Sequence, residues 1–139
     1  MNDSGSDPGL WRAPDLDQID ALAAHAFAAL PESFRLLCEG LVIRVVDFPD
    51  DETLEEMNAQ TEFDLLGLFR GQGLAHAEAT APTGMPPNMI WLYRRPLLDY
   101  WCEGEDTLEA VVAHVLIHEI GHHFGLSDAD MEAIEARIA

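Results

Sequence analysis

The sequence predicts one small domain that combines helices with a few short strands, and three observations predict it. The chain has 139 residues, 48% of them hydrophobic, which is enough to close a single core. Short runs rich in β-branched or aromatic residues at positions 41–46 and 89–93 are typical of strands. Apolar residues recur at helical spacing over positions 16–30 and 108–116, which indicates two amphipathic or buried helices.

The beginning of the chain contains a polar segment followed by helices. Residues 1–13 combine Gly, Ser, Asp and Pro with little apolar content, so we expect a mobile tail before a domain of residues 14–139. Asp15 and Gln18 have the spacing of a capping box and should begin the first helix. A second short helix should follow and end near Glu39.

The middle of the chain is predicted to hold short elements and one long loop. An acidic helix at about residues 52–58 follows the first strand, and a short strand or turn is expected at residues 65–69. Glycines and prolines are spread through residues 72–88, which favours a loop. The strand at 89–93 then leads to a helix that ends near Glu103.

The last part of the chain is predicted to hold a buried helix and a final helix. Asp106 and Glu109 have capping-box spacing, and apolar residues cover much of the circumference of the helix after them. Gly125 can end this helix in the left-handed conformation, and Ser127 with Asp130 can cap the next one. The apolar positions of the final helix are Met131, Ile134 and Ile138.

The charge of the chain restricts its partners. It has 26 acidic residues against 7 arginines and no lysine, a formal net charge of -19. Such a field repels phosphate backbones and disfavours nucleic acid, whereas it suits neutral or cationic substrates. We find neither a membrane-length apolar run nor the pattern of a secretion signal, so we expect a cytoplasmic protein without a membrane partner. Nothing sets the oligomeric state, and a monomer is compatible with the sequence.

Residues 118–128 read HEIGHHFGLSD, the pattern HExxHxxGxxD. His118 and His122 lie four positions apart, so on a helix they share one face and can both bind one ion at about 2.0 to 2.1 Å. Gly125 lets the chain turn sharply, and Asp128 can return as an oxygen ligand while a fourth position stays open for water. Glu119 lies beside the ion, where a carboxylate can act as general base. The motif therefore predicts a zinc-dependent hydrolase.

Two further histidines flank this motif. His114 precedes His118 by one turn but is about 12 Å along the helix axis from His122, so the three cannot converge on one ion. We expect His114 to be a hydrogen-bonded residue of the site wall. His123 points about 100° away from His122, which predicts packing rather than metal binding.

The segment 89–131, with MIWLYRRPLLDY and VVAHVLIHEIGHHFGLSDADM, resembles the minimal zincin-like metallopeptidases, a family of small bacterial proteins, and so does LLGLFRG in the preceding part of the chain. The resemblance implies an α+β fold in which a small mixed sheet packs on helices that include a buried HExxH helix. It also implies that zinc binds His118, His122 and Asp128 and that Glu119 is the base. The implied reaction is hydrolysis of peptide bonds in a peptide or protein substrate.

The resemblance also bears on substrate binding. In zincins the strand before the active-site helix commonly pairs with an extended substrate, and Met89–Tyr93 is the strand so placed in the sequence. Tyr93, Arg94 or Arg95 could donate a hydrogen bond to the developing oxyanion. We favour instead a core position for Tyr93 and ion pairs for the two arginines.

Two other functions stay open. In one, zinc only stabilises the fold and the loop at residues 72–88 recruits a partner, which a closed set of four protein ligands would favour. The other is a zinc-dependent endoribonuclease, because one such family has a related His-x-x-x-His-x-x-Gly spacing. Glu119 and the net charge of -19 argue against the endoribonuclease.

Overall fold

The structure is a computed structural model that describes residues 7–71 and 88–138. Six helices and three strands lie within these two ranges. The helices are α1 (Leu16–Ala28), α2 (Glu32–Leu37), α3 (Asp51–Glu56), α4 (Arg94–Glu103), α5 (Leu108–His123) and α6 (Asp128–Ile138). The strands are β1 (Val42–Val46), β2 (Gly67–Arg70) and β3 (Met89–Tyr93). The predicted mixture of helices with a small sheet is confirmed, and none of the described helices is long and apolar enough to cross a membrane.

Two predictions concern segments that are described only in part. Residues 8–10 of the predicted tail form an exposed 3₁₀ turn, while residues 1–6 lie outside the described ranges, so the tail stays a prediction. Residues 72–87 of the predicted loop also lie outside these ranges.

The three strands form one mixed sheet in the order β1-β3-β2. β3 runs parallel to β1, with Val42 opposite Met89, and antiparallel to β2, with Phe69 opposite Ile90. Both edges of β3 are therefore paired, and the prediction that Met89–Tyr93 receives an extended substrate is wrong. Within the described residues the outer strands are β1 and β2, so a substrate strand could add only there.

One face of the sheet packs against α1 and α5. Ile90 and Leu92 point to this face and are completely buried in the core. β2 approaches α5 so closely that a Cβ atom at Gly67 would lie 2.8 Å from Cγ1 of Val115. The absence of a side chain at Gly67 thus lets the free edge of β2 lie beside α5.

Both long helices begin at side-chain caps. Asp15 and Gln18 form the predicted capping box of α1, with two reciprocal hydrogen bonds of 2.8 Å. At α5 the Asp106–Glu109 prediction is wrong by one residue, because Thr107 is the N-cap and its hydroxyl accepts from Ala110 N–H at 3.1 Å. Four side chains of α5 are completely buried, namely Val112, Leu116, Ile117 and Ile120.

A tight turn folds α6 back onto α5. Gly125 adopts a φ of +77° after the end of α5, as predicted, and Ser127 and Asp130 cap α6 through reciprocal hydrogen bonds. Met131 is completely buried against Gly121 of α5, where a Cβ atom would lie 2.5 Å from the Met131 sulfur. The close approach of the two helices at Gly121 brings the polar face of α5 opposite the first two turns of α6.

Candidate active site

Three histidines form a row along one face of α5. His114, His118 and His122 follow one another at intervals of four residues, which is slightly more than one helical turn. The ring centroids of His114 and His118 lie 4.0 Å apart, and those of His118 and His122 lie 5.8 Å apart. The side chain of His118 is 23% exposed, whereas those of His114 and His122 are 50% and 61% exposed, so the row is anchored at its centre and open at its ends.

Two carboxylates of α6 lie opposite this row. At one end, Oδ1 of Asp128 lies 3.9 Å from Nε2 of His122. At the other end, Oε1 of Glu135 lies 2.7 Å from Nε2 of His118 and 3.0 Å from Nδ1 of His114. The seam between the two helices therefore presents imidazole and carboxylate groups along its whole length, and the predicted hydrogen bonding of His114 is confirmed.

One pair of the predicted zinc ligands, His122 and Asp128, is close to the required separation. Two ligand atoms that each lie about 2.1 Å from a tetrahedral zinc ion are about 3.4 Å apart. The distance of 3.9 Å from His122 to Asp128 needs only a small side-chain shift to reach that value, and the Asp128 side chain is 84% exposed and can make it. His118 now hydrogen-bonds to Glu135, so its ring has to exchange that partner for the ion. The donor atoms of His118, His122 and Asp128 are of the types that zinc prefers. Among the described residues, however, only His114, His118 and Glu135 place three ligand atoms within 4.8 Å of one another, so the assignment of His118, His122 and Asp128 stays a prediction.

The sequence reasoning missed Glu135. Its carboxylate, with His114 and His118, forms a group whose ligand atoms all lie within 4.8 Å of one another. Glu135 follows Asp128 by seven residues, or about two helical turns, so the two carboxylates share one face of α6. This spacing was the available signal. The spacing of Asp128 and Glu135 indicates a site only when it is known that α6 packs against the histidine face of α5.

Glu119 is held by the free edge of the sheet. The backbone N–H of Phe69 lies near its carboxylate and favours the ionised form of Glu119. Tyr93 N–H donates to Leu66 O at 3.0 Å, and the alternation of an antiparallel ladder then turns the N–H of Phe69 away from β3. Burial raises the pKa of Glu119, an effect that the N–H of Phe69 and the nearby motif histidines partly oppose. A carboxylate with a raised pKa beside two imidazoles is suited to accept and return a proton.

His123 packs against the strand that holds Glu119. Its ring stacks on Phe69 with centroids 4.0 Å apart and an interplanar angle of 25°. Its Nε2 atom is buried and finds no hydrogen-bond partner among the described residues. The predicted packing role is confirmed, and the stacked rings restrain the part of β2 that donates to Glu119.

Of the three candidate oxyanion donors, the tyrosine is buried and the two arginines contact other side chains. Tyr93 is 3% exposed, and burial raises the pKa of its hydroxyl to about 12. Arg94 pairs with Asp47 at 3.0 Å, and the Arg95 guanidinium lies 5.6 Å from the centre of the Phe48 ring. The favoured interpretation of a core tyrosine and a paired Arg94 is confirmed, while Arg95 lies over an aromatic ring.

Comparisons with known proteins identify a family and a similar fold. The family model described as zincin-like metallopeptidase matches residues 38–138, which include the motif helix and all three strands. A solved structure of a conserved hypothetical protein from T. thermophilus is similar in fold, with a TM-score of 0.51 and 20% sequence identity over 88% of this chain and 99% of that one. None of the curated proteins matches the chain.

Proposed function

Because this chain belongs to the zincin-like metallopeptidase family, we propose that it is a zinc-dependent peptidase in which Glu119 is the general base. The observation that carries the proposal is the position of the Glu119 carboxylate, half-buried beside the motif histidines and near the backbone N–H of Phe69 on the outer edge of β2. A histidine pair alone would account for metal binding, but it leaves this partly desolvated carboxylate without a role.

His118, His122 and Asp128 are the residues that would hold the ion. When bound, zinc would supply Lewis-acid polarisation of the scissile carbonyl and of water at neutral pH. The side chains of these residues are 23%, 61% and 84% exposed, which supports a site open to solvent and substrate. Such openness is typical of catalytic zinc sites, whereas structural sites are closed by protein ligands.

Glu119 would move the proton. Its carboxylate accepts a proton from the attacking water and passes it to the amine that leaves when the peptide bond breaks. The raised pKa of Glu119 favours the first step, because its carboxylate holds a proton more firmly than an exposed glutamate does. The second step is favourable because an amine is a stronger base than a carboxylate. The nearby N–H of Phe69 would favour the ionised carboxylate before it accepts the proton.

The free edge of β2 would bind the substrate. The N–H and C=O of Gly67 and the C=O of Phe69 point away from β3 along this edge, where an extended peptide could pair with them. A peptide bound there passes directly by Glu119, whose carboxylate already contacts the same edge. The substrate strand is thus proposed at β2 in place of Met89–Tyr93.

The test compares the protein with its Glu119→Gln variant. Purified chain loaded with one zinc ion is incubated with a mixture of peptides, and new termini are identified by mass spectrometry. We expect cleavage by the native protein and a loss of roughly 10²- to 10⁴-fold in Glu119→Gln, with zinc content unchanged. Glu132→Gln, an exposed position on α6, is the matched control. Equal rates for the native protein and Glu119→Gln, with zinc bound to both, would refute the proposal.

One observation favours a non-catalytic alternative. Oε1 of Glu135 lies 2.7 Å from His118 Nε2, so Glu135 could join His118, His122 and Asp128 as a fourth protein ligand. A zinc ion closed by four side chains would stabilise the fold and leave no position for water. X-ray absorption of the zinc-loaded protein distinguishes the two functions, because removal of Glu135 alters the zinc coordination only if Glu135 binds the ion.

A further inference from the structure

The end of the seam away from Asp128 has the composition of a second metal site. Oε1 of Glu135 lies 2.7 Å from His118 Nε2, and Nδ1 of His114 lies 3.0 and 3.1 Å from the two Glu135 oxygens. All three residues offer ligand atoms within 4.8 Å of one another. We propose that His114, His118 and Glu135, here called the His114 cluster, bind a zinc-class divalent ion at a site separate from Asp128 and that the two sites compete for His118.

The chemistry of the His114 cluster suits such an ion. Two imidazole nitrogens and one carboxylate form a ligand set common to catalytic and regulatory zinc sites. The present separations are those of hydrogen bonds, and an ion can replace the shared protons if the three side chains open by a few tenths of an ångström. His114 is 50% exposed and Glu135 is 31% exposed, so both side chains have room for this adjustment.

An ion can reach the cluster from solvent. Glu135 lines a groove of about 280 Å³ between α1 and α5, and His25 and Glu109 line the same groove. This path differs from the open side of the predicted peptidase site, which lies at the other end of the histidine row. The net charge of -19 also concentrates cations at the surface of the protein.

Competition between the sites follows from the position of His118. Its Nε2 atom now faces Glu135, and the motif site requires an imidazole nitrogen of the same ring. The competition requires that both sites use this same Nε2 atom, so that an ion at either site deprives the other of a ligand. Ion binding by the His114 cluster does not depend on the proposed peptidase function, whereas the competition rests on it.

The experiment measures zinc binding by the whole chain with a chromophoric chelator as competitor. The variant His122→Ala with Asp128→Asn removes two ligands of the motif site and leaves the His114 cluster intact. We expect this double variant to retain one zinc ion and to lose it when Glu135→Gln is added. His114→Ala, at an exposed position, serves as a second way to remove the cluster with little risk to folding. Glu132→Gln in the same background is the matched control and should leave binding unchanged.

Each outcome separates this proposal from the peptidase proposal. If the double variant binds no zinc although circular dichroism shows it folded, or if removing Glu135 and His114 leaves its zinc affinity unchanged, the His114 cluster is not a metal site. If loss of the cluster alone removes all zinc from the otherwise native protein, the cluster is supported and the motif-site ligands are refuted. If the two sites compete, a first ion bound by the native protein weakens the binding of a second ion. We therefore expect the cluster of the double variant to bind zinc about 10-fold more tightly than the native protein binds its second ion. Equal affinities would refute the competition.

Discussion

Replacing Gly121 with alanine should raise the helix propensity of α5 but crowd its packing against α6. In a helix interior, alanine is favoured over glycine by about 1 kcal/mol. In this protein, however, the new Cβ atom would lie 2.5 Å from the sulfur and 2.8 Å from Cγ of Met131, which is completely buried. Ordinary contacts between such atoms are about 3.5 to 4.0 Å, so Met131 would have to retreat by roughly 1 Å. Overpacking of this kind costs about 1 to 3 kcal/mol.

Packing should therefore outweigh propensity, and we expect Gly121→Ala to lower the free energy of unfolding by up to about 2 kcal/mol. Urea denaturation of metal-free protein measures this change, and a loss of about 1 kcal/mol corresponds to a Tm lower by roughly 4 °C. Because Met131 lies on α6 together with Asp128, the displacement should also weaken zinc binding at the motif site. The zinc affinity of the variant tests this second effect.

The double variant Gly121→Ala with Met131→Ala identifies the cause. Met131→Ala alone should cost about 2 to 5 kcal/mol because it leaves a cavity. In the double variant the alanine at 121 meets no sulfur, so the cost of Gly121→Ala should disappear or become a gain. A single variant that is more stable than the native protein, or a double variant in which the two costs simply add, would show that the helices do not approach as described.

Three other changes give distinct results. Thr107→Ala should destabilise the chain by about 1 kcal/mol through loss of the α5 cap, whereas Asp106→Ala should change stability little; equal costs in chemical denaturation would contradict this cap. In metal-free protein, Glu119→Gln should be as stable as the native protein below pH 4.5. As the pH rises through the raised pKa of Glu119, the variant should become the more stable of the two, because burial disfavours the ionised form of Glu119. A stability difference that does not depend on pH would exclude this shift. A thiol reagent should modify exposed Cys102 at neutral pH but reach Cys38 only on unfolding, because Cys38 is buried and its pKa is raised to about 11; equally rapid labelling would contradict that burial.

Local sequence signals predicted the elements that depend on local physics. The bounds of the strand Met89–Tyr93 were predicted to the residue. Its short apolar run directly follows Pro86, Pro87 and Asn88, which leaves few alternatives for the start of the strand. The capping box at Asp15 was also correct. At α5 the cap was placed one residue early, since Asp106 and Thr107 are both good N-caps and their choice depends on where the backbone becomes helical.

Long-range pairing could not be predicted in the same way. Nothing in the residues of Met89–Tyr93 says that β1 and β2 both pair with it, because strand order is decided by loop closure and by packing against the helices. The interior position of this strand overturned its expected role in substrate binding. Glu135 was missed for the same reason, since its partners lie 17 and 21 residues earlier in the chain.

The apolar faces of α5 explain why its polar face forms a site. The helix packs on α1, on the sheet and on α6, so the positions that remain polar are forced into the seams between these elements. Polar groups of α5 that lie in these seams are stabilised by hydrogen-bond partners on the neighbouring element, because an unpaired buried polar group costs on the order of 1 to 3 kcal/mol. β2 supplies an N–H to Glu119, and α6 supplies carboxylates to the histidine row. The contacts that stabilise the described fold are thus the same contacts that would orient the proposed catalytic and ligand atoms.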